Sequence, residues 1–589
     1  MAPPSVLSVG NRPVRRAGIV SISMQHLHFI SKYRLGQKTF FFLYIGILLL
    51  PNLVLFITEP PPVWARFCNV IIPLAVYWLF MTFFRKPGKP LWILLPLLFV
   101  DIFQLVLLSL FKGHVIAVDM FLNLLTTNTA EAAELLSNLW PTIAAIFALY
   151  LVALFSGIYS LARAENLSTD FLKRQRKYAL STGVAGIILL AVTGLSVPRY
   201  RITTGIYPIN VGYNIVQAVR REIRVRHYAR SSADFRFYAL PEHPVDEPEI
   251  YVLVIGETSR ACNWQLYGYP RQTNPHLSSR TDILCFRDVL TQSNTTHKSV
   301  PLLLSSASAL HYDRIYREKS LITAFREAGF RTAFFSNQRP NRSFIDFFGQ
   351  EADRHIFVKE SSENPQYNPS DEILLQLLAD EIDRRHRKSL IVLHTYGSHF
   401  NYGERYPADR AYFRPDNISG TRAGNRKELV NAYDNSIRYT DNLLHRIISL
   451  LDRNRAQSAV LYIADHGEDI FDDSRNRFLH SSPGVSYYQL HVPLVLWMSE
   501  GYKKAYPSCV EQALANRDKA ISTRNVFHTV LSLGGIHTFC REDSLSIVSP
   551  CFKETARYYL DDHNRARTLD EIGLTAEDFE QFGRAGIRH

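Results

Sequence analysis

Cysteine is scarce, six among 589 residues, and no two stand in a CxxC or a Cys/His cluster. That excludes a disulfide scaffold, a zinc ribbon and a thiolate-ligated cluster. Charge is sparse too, at 20% of residues. No low-complexity, collagen-like or polar tract supports a disordered chain. Acidic residues are nearly missing from the first third, and long uncharged runs are missing from the rest. The net charge of +12 (66 basic against 54 acidic residues) therefore averages over two unlike parts. No nucleic-acid-binding motif accompanies the basic excess. It is explained by membrane topology and anionic headgroups.

Five apolar runs, at 40–57, 67–84, 91–111, 140–162 and 178–197, are long enough to cross about 30 Å of hydrocarbon. Lys and Arg in the tail and the even-numbered loops (Arg12, Arg15, Arg16, Lys32, Arg34, Lys38; Arg85, Lys86, Lys89; Arg163, Lys173, Arg174, Arg176, Lys177) outnumber those in the other loops (Arg66, Lys112) by 14 to 2. The N-terminus is thus expected in the cytoplasm, on a retained tail (1–39), with everything after residue 197 exported. Asp101 and Gln104 lie inside the third run. There a carboxylate is either a functional group or a polar contact between helices. GYNIVQAVRREIRVRHYAR (212–230), with five arginines among apolar residues, reads as an interfacial helix on anionic headgroups. The proline-rich YALPEHPVDEP (238–248) closes the linker, 198–248.

From 249 the pattern changes. Runs at 249–256, 331–337, 389–395, 458–465 and 492–498 read as buried strands. Helical spacing occupies 318–329, 371–388, 426–455 and 522–533. Alternation of the two predicts an α/β domain over 249–555, a mostly parallel sheet with helices on both faces. The fold class is therefore an α-helical membrane domain (40–197) joined to that exported domain, with a C-terminal extension at 556–589. The six cysteines suit an oxidising compartment, and Cys540 with Cys551 is the expected pair.

Sites in such sheets form beyond the carboxyl ends of strands. Those ends carry Glu257 (VIGETSR), His394 and His399 (LHTYGSHF), and Asp465 and His466 (ADHGED), with Glu468 close by and His480 in FLHSSP. A predicted helix start brings Thr295, Thr296 and His297 (NTTHKSVP). Carboxylates with imidazole and no thiolate suit zinc or another divalent ion. A hydroxyl needs a base or a metal to act as a nucleophile. At a helix start it also faces free N–H groups that favour phosphate. The remaining histidines can bind a second ion, hold phosphate oxygens or protonate a leaving alkoxide. The chemistry indicated is phosphoryl-type transfer.

GETSRACNWQLYGYPRQTNP, TTHKSVP, LHTYGSH and ADHGED behind membrane runs resemble the membrane phosphoethanolamine transferases. These comprise lipid A, lipopolysaccharide-core and periplasmic-glucan modifiers and the mobile colistin-resistance enzymes, with a catalytic domain of alkaline phosphatase/sulfatase type. The resemblance spans roughly residues 40–550. It implies an inner-membrane enzyme with a periplasmic catalytic domain. Glu257, Thr296, Asp465 and His466 would hold one Zn2+, with Thr296 as nucleophile. His399 and His480 would face the phosphoethanolamine or a second Zn2+, and His394 and Glu468 fall within the same motifs. The implied reaction is ping-pong. Phosphatidylethanolamine gives its headgroup to Thr296, diacylglycerol leaves, and the group passes to an envelope glycan or glycolipid. Three features depart from the lipid A modifiers: no cysteines flank the nucleophile segment, Lys298 matches the glucan-modifying branch, and the tail after about 555 has no counterpart. The alternatives are a phosphoglycerol transferase of related fold and an inactive membrane protein that binds lipid or glycan. A sulfatase proper lacks its CxPxR nucleophile motif here.

Overall fold

The computed structural model describes residues 35–59, 62–126, 129–197, 200–244, 246–360, 367–418, 420–481 and 483–589. Most of the predicted cytoplasmic tail, including Arg12, Arg15, Arg16, Lys32 and Arg34, lies outside the described residues.

The apolar runs form a helical bundle: α1 (Gln37–Thr58), α2 (Val63–Met81), α3 (Leu95–Phe111), then the short α4 (Val118–Thr126), α5 (Thr129–Ala162) and α6 (Thr169–Ser196). Phe41, Tyr44, Leu48, Leu98 and Tyr150 pack inside it. Val152, Phe155, Ile187, Ile188 and Leu195 point outward, an apolar rim suited to lipid. Among the described residues four helices, within α1, α2, α5 and α6, are long and apolar enough to cross a membrane. The third predicted run departs from expectation: it breaks at Leu94 into Gly88–Ile93 and α3. Pro96, in the first turn of α3, starts a new helix there rather than continuing one. With 17 residues, α3 extends only about 25 Å.

The basic loops meet at one end of the bundle. Lys86 Nζ donates to Leu161 O at 2.6 Å, Arg176 Nη2 to Thr82 O at 3.3 Å and Gln37 Nε2 to Ser160 O at 2.9 Å. Asp101 and Gln104 both make buried polar contacts. Asp101 Oδ1 accepts from Tyr207 Oη at 2.6 Å. Gln104 bonds His114 O and Ile116 N, each at 2.9 Å, and so shapes the turn into α4.

The expected interfacial helix is α7 (Ile209–Arg226). Ile209, Ile215, Val216, Val219 and Ile223 are exposed along it, whereas Asn214 and Arg221 are buried.

The second domain is a seven-stranded sheet: β1 (Glu249–Gly256), β2 (Ile283–Phe286), β3 (Arg331–Ser336), β4 (Arg354–Phe357), β5 (Lys388–His394), β6 (Gln457–Ala464) and β7 (Leu494–Met498), in the order β2-β7-β6-β1-β5-β3-β4. Strands β6, β1, β5, β3 and β4 pair in parallel, and β7 is antiparallel to both its neighbours. Alternate residues of a strand face opposite sides of a sheet. Tyr251, Leu253, Ile255, Leu390 and Val392 therefore enter one core, with α8 (Thr296–Leu304) over them. Ile250, Val252, Val254, Ile391 and Leu393 enter the other, under α9 (Arg426–Arg453). Tyr228 and Phe237 belong to the first core, so chain upstream of the proline-rich segment packs with the sheet.

The expected Cys540–Cys551 disulfide is absent: both thiols are free, as are the other four. Cys540 is buried in the core and Cys551 is exposed. The C-terminal extension is folded. A hairpin (Tyr559–Leu560 with Ala566–Arg567) and α10 (Ala576–Ala585) build a small core of Tyr559, Leu569, Phe582 and Ile587 against Val485, Tyr487 and Leu490.

Candidate functional site

The central parallel strands bring their carboxyl ends to one edge, and the predicted residues gather there. Glu257 follows β1, His394 ends β5, Asp465 and His466 follow β6, and Thr296 opens α8. Glu468 and His480 flank a two-stranded turn, Asp469–Ile470 with Phe478–Leu479.

Four of the eight converge. Thr296 Oγ lies 3.0 Å from Glu257 Oε1 and 3.1 Å from His466 Nε2. His466 Nε2 is 3.6 Å from Glu257 Oε1 and 3.3 Å from Asp465 Oδ2. Glu257, His466 and His480 present ligand atoms all within 4.8 Å of one another. Asp465 meets the cluster through His466, because its carboxylate is also held from behind. Its Oδ1 accepts from Thr258 N (3.0 Å) and His466 N (2.7 Å), and its Oδ2 from Ser299 Oγ (2.9 Å). Donors arranged tetrahedrally at about 2.0–2.1 Å from a zinc ion lie about 3.3 Å apart. The spacings of 3.0–3.6 Å among Thr296, Glu257 and His466 match that, so these three have the donor chemistry and spacing to share such an ion, with Asp465 Oδ2 3.3 Å from His466 Nε2 and His480 within reach.

Electrostatics agree. Burial works against a charged His466, yet Asp465 and then Glu257 outweigh it and raise its pKa. Two buried carboxylates draw positive charge to this point. The Nδ1–H of His466 donates to Gly467 O at 2.9 Å, leaving Nε2 to face Thr296. The His480 ring lies 4.2 Å from the His466 ring, tilted by 43°, and its Nδ1 is 3.5 Å from Glu468 Oε2. His399 rests on Tyr396 and stands edge-on to His480, 6.3 Å between centroids. Burial lowers the pKa of both His399 and His480 to about 3, so each is a neutral imidazole at physiological pH. Burial also raises Glu468 to about 8, while Tyr402 Oη holds its Oε1 at 2.5 Å. His394 sits behind the cluster: its Nδ1 pairs with Ser336 Oγ at 3.0 Å, and burial lowers its pKa to about 4.

Three further residues support the cluster; Gln338 and Gly397 escaped the sequence reading, whereas Thr258 was visible there only as a hydroxyl beside Glu257. Gln338 Nε2 donates to Glu257 Oε2 at 2.9 Å and to Thr395 O at 3.0 Å. It follows β3, so the strand-end rule reaches it too. Thr258 Oγ donates to Glu257 Oε1 at 2.6 Å from a backbone at φ +55°. That conformation is strained for a β-branched residue. Gly397 packs so close that a Cβ would meet Glu257 O at 2.7 Å, and its own φ is +48°. Only glycine fits there.

The two residues after Thr296 tie the site to the bundle. Lys298 Nζ and His297 Nε2 reach Asp119 of α4, and Arg221 of α7 joins the same carboxylate at 3.1 Å. Lys298 is 1% exposed. Removing one partner of a buried ion pair costs about 3–5 kcal/mol. Asp119→Asn is therefore expected to lower the thermal midpoint of the full-length protein in detergent by several degrees. An unchanged midpoint would show that the contact carries no weight.

Comparison with known proteins fits this geometry. The Sulfatase family model matches residues 249–536. Phosphoethanolamine transferase EptA of Salmonella typhimurium is 29% identical over 317 residues, 52% of this chain and 57% of that protein. Phosphoethanolamine transferase EptC of Escherichia coli is 25% identical over 335 residues, 55% of this chain and 57% of that protein. The chain thus spans a little over half the length of these relatives. Among solved structures, the periplasmic domain of Escherichia coli EptC in complex with Zn superposes with a TM-score of 0.53 at 25% identity, over 58% of this chain and 97% of that one. The integral membrane lipooligosaccharide phosphoethanolamine transferase A of Neisseria meningitidis superposes with a TM-score of 0.69 at 22% identity, over 89% of this chain and all of that one. The latter shares the whole two-part fold.

Proposed function

We propose that this chain, whose residues 249–536 match the Sulfatase family model and which resembles the phosphoethanolamine transferases EptA and EptC, is a membrane phosphoethanolamine transferase that moves phosphoethanolamine from phosphatidylethanolamine through Thr296 to an envelope glycan or glycolipid. One observation carries this reading: Thr296 Oγ, at a helix start, held between Glu257 Oε1 and His466 Nε2. A hydroxyl so placed is aimed at a phosphorus whose oxygens meet the positive end of α8.

Thr296 Oγ gives up its proton and bonds the donor's phosphorus, the bond to the diacylglycerol oxygen breaks, and that oxygen takes up the proton Thr296 released. The acceptor oxygen then bonds phosphorus, the bond to Thr296 Oγ breaks, and the acceptor's proton returns to Thr296. His399 and His480, neutral and beside the cluster, are suited to carry these protons or to hold the phosphate. Glu257, Thr296, Asp465 and His466 would hold a zinc ion, which when bound would lower the Thr296 hydroxyl pKa and offset charge developing on phosphate oxygens. His480 with Glu468 offers donors for a second ion.

The chain is read as an inner-membrane protein with a periplasmic catalytic domain. Supporting this, the basic loops gather at the bundle end opposite the α4 and α7 contacts to the catalytic domain. The exposed apolar stripe of α7 then lies on the membrane surface, which brings Thr296 near a lipid substrate.

The test is mass spectrometry of the Thr296 peptide from protein purified out of phosphatidylethanolamine-rich membranes. A phosphoethanolamine adduct on Thr296 is expected. A phosphoglycerol adduct would instead assign the donor as phosphatidylglycerol. No adduct together with no bound metal would indicate a binding protein.

A further inference from the structure

The first turn of α8 is weakly held by its own sequence. Thr295 stands at the N-cap without a side-chain hydrogen bond to the helix, and Pro301 lies inside it. Proline has no N–H, so the bond that would run from residue 301 to His297 O is missing. Residues 291–295, just before, belong to no strand or helix. Thr296 Oγ nevertheless stands 3.0 and 3.1 Å from its two partners. Its place is fixed from outside.

The C-terminal hairpin supplies much of that fixing. Leu560 N donates to Gln292 O at 2.7 Å, Tyr559 Oη to Asn294 Oδ1 at 2.7 Å, and Lys298 Nζ to Asp561 O at 3.1 Å. These contacts bracket Thr296 on both sides in the chain. The turn of the same hairpin grips the membrane side. Asp562 Oδ2 and Oδ1 accept from Val118 N (2.8 Å) and Asp119 N (2.9 Å), and so cap α4. Arg221 Nη2 of α7 donates to Asp562 O at 2.6 Å, and His563 Nε2 to Asn214 Oδ1 of α7 at 3.0 Å. Lys298 joins the two halves, since it also reaches Asp119.

We propose that the hairpin is a positioning clamp: it fixes the nucleophile helix against α4 and α7 and thereby sets the reach of Thr296, with Tyr559 and Asp562 as its positioning residues. Their side chains bond to Asn294 and to α4, not to the ligand cluster. The consequence for rate rests on the transferase reading above. A misplacement of about 1 Å in a reacting group can cost about 100-fold. Because hairpin and membrane-side helices hold α8 jointly, the reactive geometry depends on both parts of the chain being assembled.

The experiment compares full-length wild type, Tyr559→Phe, Asp562→Ala and Asp562→Asn in phosphatidylethanolamine vesicles. It reads the kinetics of diacylglycerol release and, separately, hydrogen–deuterium exchange by peptide. Tyr559→Phe keeps the ring in its core and removes the bond to Asn294. It is expected to lower kcat about tenfold with KM within about twofold of wild type. Asp562→Ala should do the same, and Asp562→Asn should recover most of the rate, because asparagine caps a helix about as well as aspartate. In Tyr559→Phe and Asp562→Ala exchange should rise in 291–300 and stay unchanged in β1 and β6. If Asp562→Ala does not fold, Tyr559→Phe carries the test. Wild-type kcat and exchange in the folded variants overturn the proposal. Exchange raised across the whole catalytic domain overturns it too, since the hairpin would then be a general stabiliser. A raised KM with kcat unchanged would place the hairpin in substrate binding and overturns it again. No diacylglycerol release by wild type is a different result. It defeats the transferase reading, while the exchange pattern still decides the clamp.

Discussion

Thr296→Ala is expected to lower transfer by at least about 10⁴-fold, the scale on which removal of a catalytic nucleophile acts, while Thr295→Ala keeps activity within about tenfold of wild type. The two residues are neighbours, and the sequence separates them only by position relative to SVP. Their surroundings differ sharply. Thr296 Oγ has a carboxylate oxygen and an imidazole nitrogen at 3.0 and 3.1 Å and remains partly open. Thr295 is 2% exposed, its Oγ is 3.1 Å from Ser293 Oγ, and it precedes α8 without capping it through the side chain. Its loss removes one neutral hydrogen bond, worth about 1 kcal/mol. Thr296→Ser keeps a hydroxyl in place and should retain part of the activity. Diacylglycerol release from phosphatidylethanolamine vesicles measures all three variants. Activity in Thr296→Ala with none in Thr295→Ala would reassign the nucleophile.

How much of this was legible in the sequence follows from what each element buries. Central strands β1, β5 and β6 are apolar on both faces, and their predicted limits differ from the observed ones by at most a residue. The edge strands β2 and β4 went unread. Each has four residues and is only partly buried, so neither makes a continuous apolar run. The site was readable for a related reason. Ligands at strand ends sit at fixed offsets from those apolar runs, which is why Glu257, Asp465 and His466 stood out. Gln338, an uncharged amide, carried no such signal despite the same offset. The broken α3 shows the limit of hydropathy, which reports apolar length but not continuity of the helix. The extension was opaque because its contacts are long-range. Asp562 meets Val118 across more than 400 residues, and no local pattern announces such a partner. Lys298, noted as a family mark, proved to be a buried tie to Asp119.

Loss of metal is the second large effect, expected in Glu257→Gln and in Asp465→Asn. Glu257 Oε1 faces Thr296 Oγ and Thr258 Oγ, and its Oε2 receives Gln338 Nε2. A neutral amide there removes charge from the centre and offers only one oxygen to these donors. Asp465 is constrained more tightly. Its Oδ1 already accepts two backbone N–H groups, so an asparagine must keep its oxygen there and turn its NH₂ toward His466. That places a donor where a ligand is needed. Both variants should therefore purify with less than about a tenth of the wild-type zinc, since losing one of four ligands weakens a site by more than the 10–100-fold typical of supporting residues. Elemental analysis of chelator-free preparations reads this directly, without reference to activity. Two further variants locate the effect. His394→Gln alters a buried imidazole bonded to Ser336 rather than to the cluster, and should keep its zinc. Glu468→Gln changes the carboxylate that faces His480 and accepts from Tyr402, so a fall from two ions to one in that variant alone would identify a second site. Full occupancy in both Glu257→Gln and Asp465→Asn would mean that the ligand set is wrong.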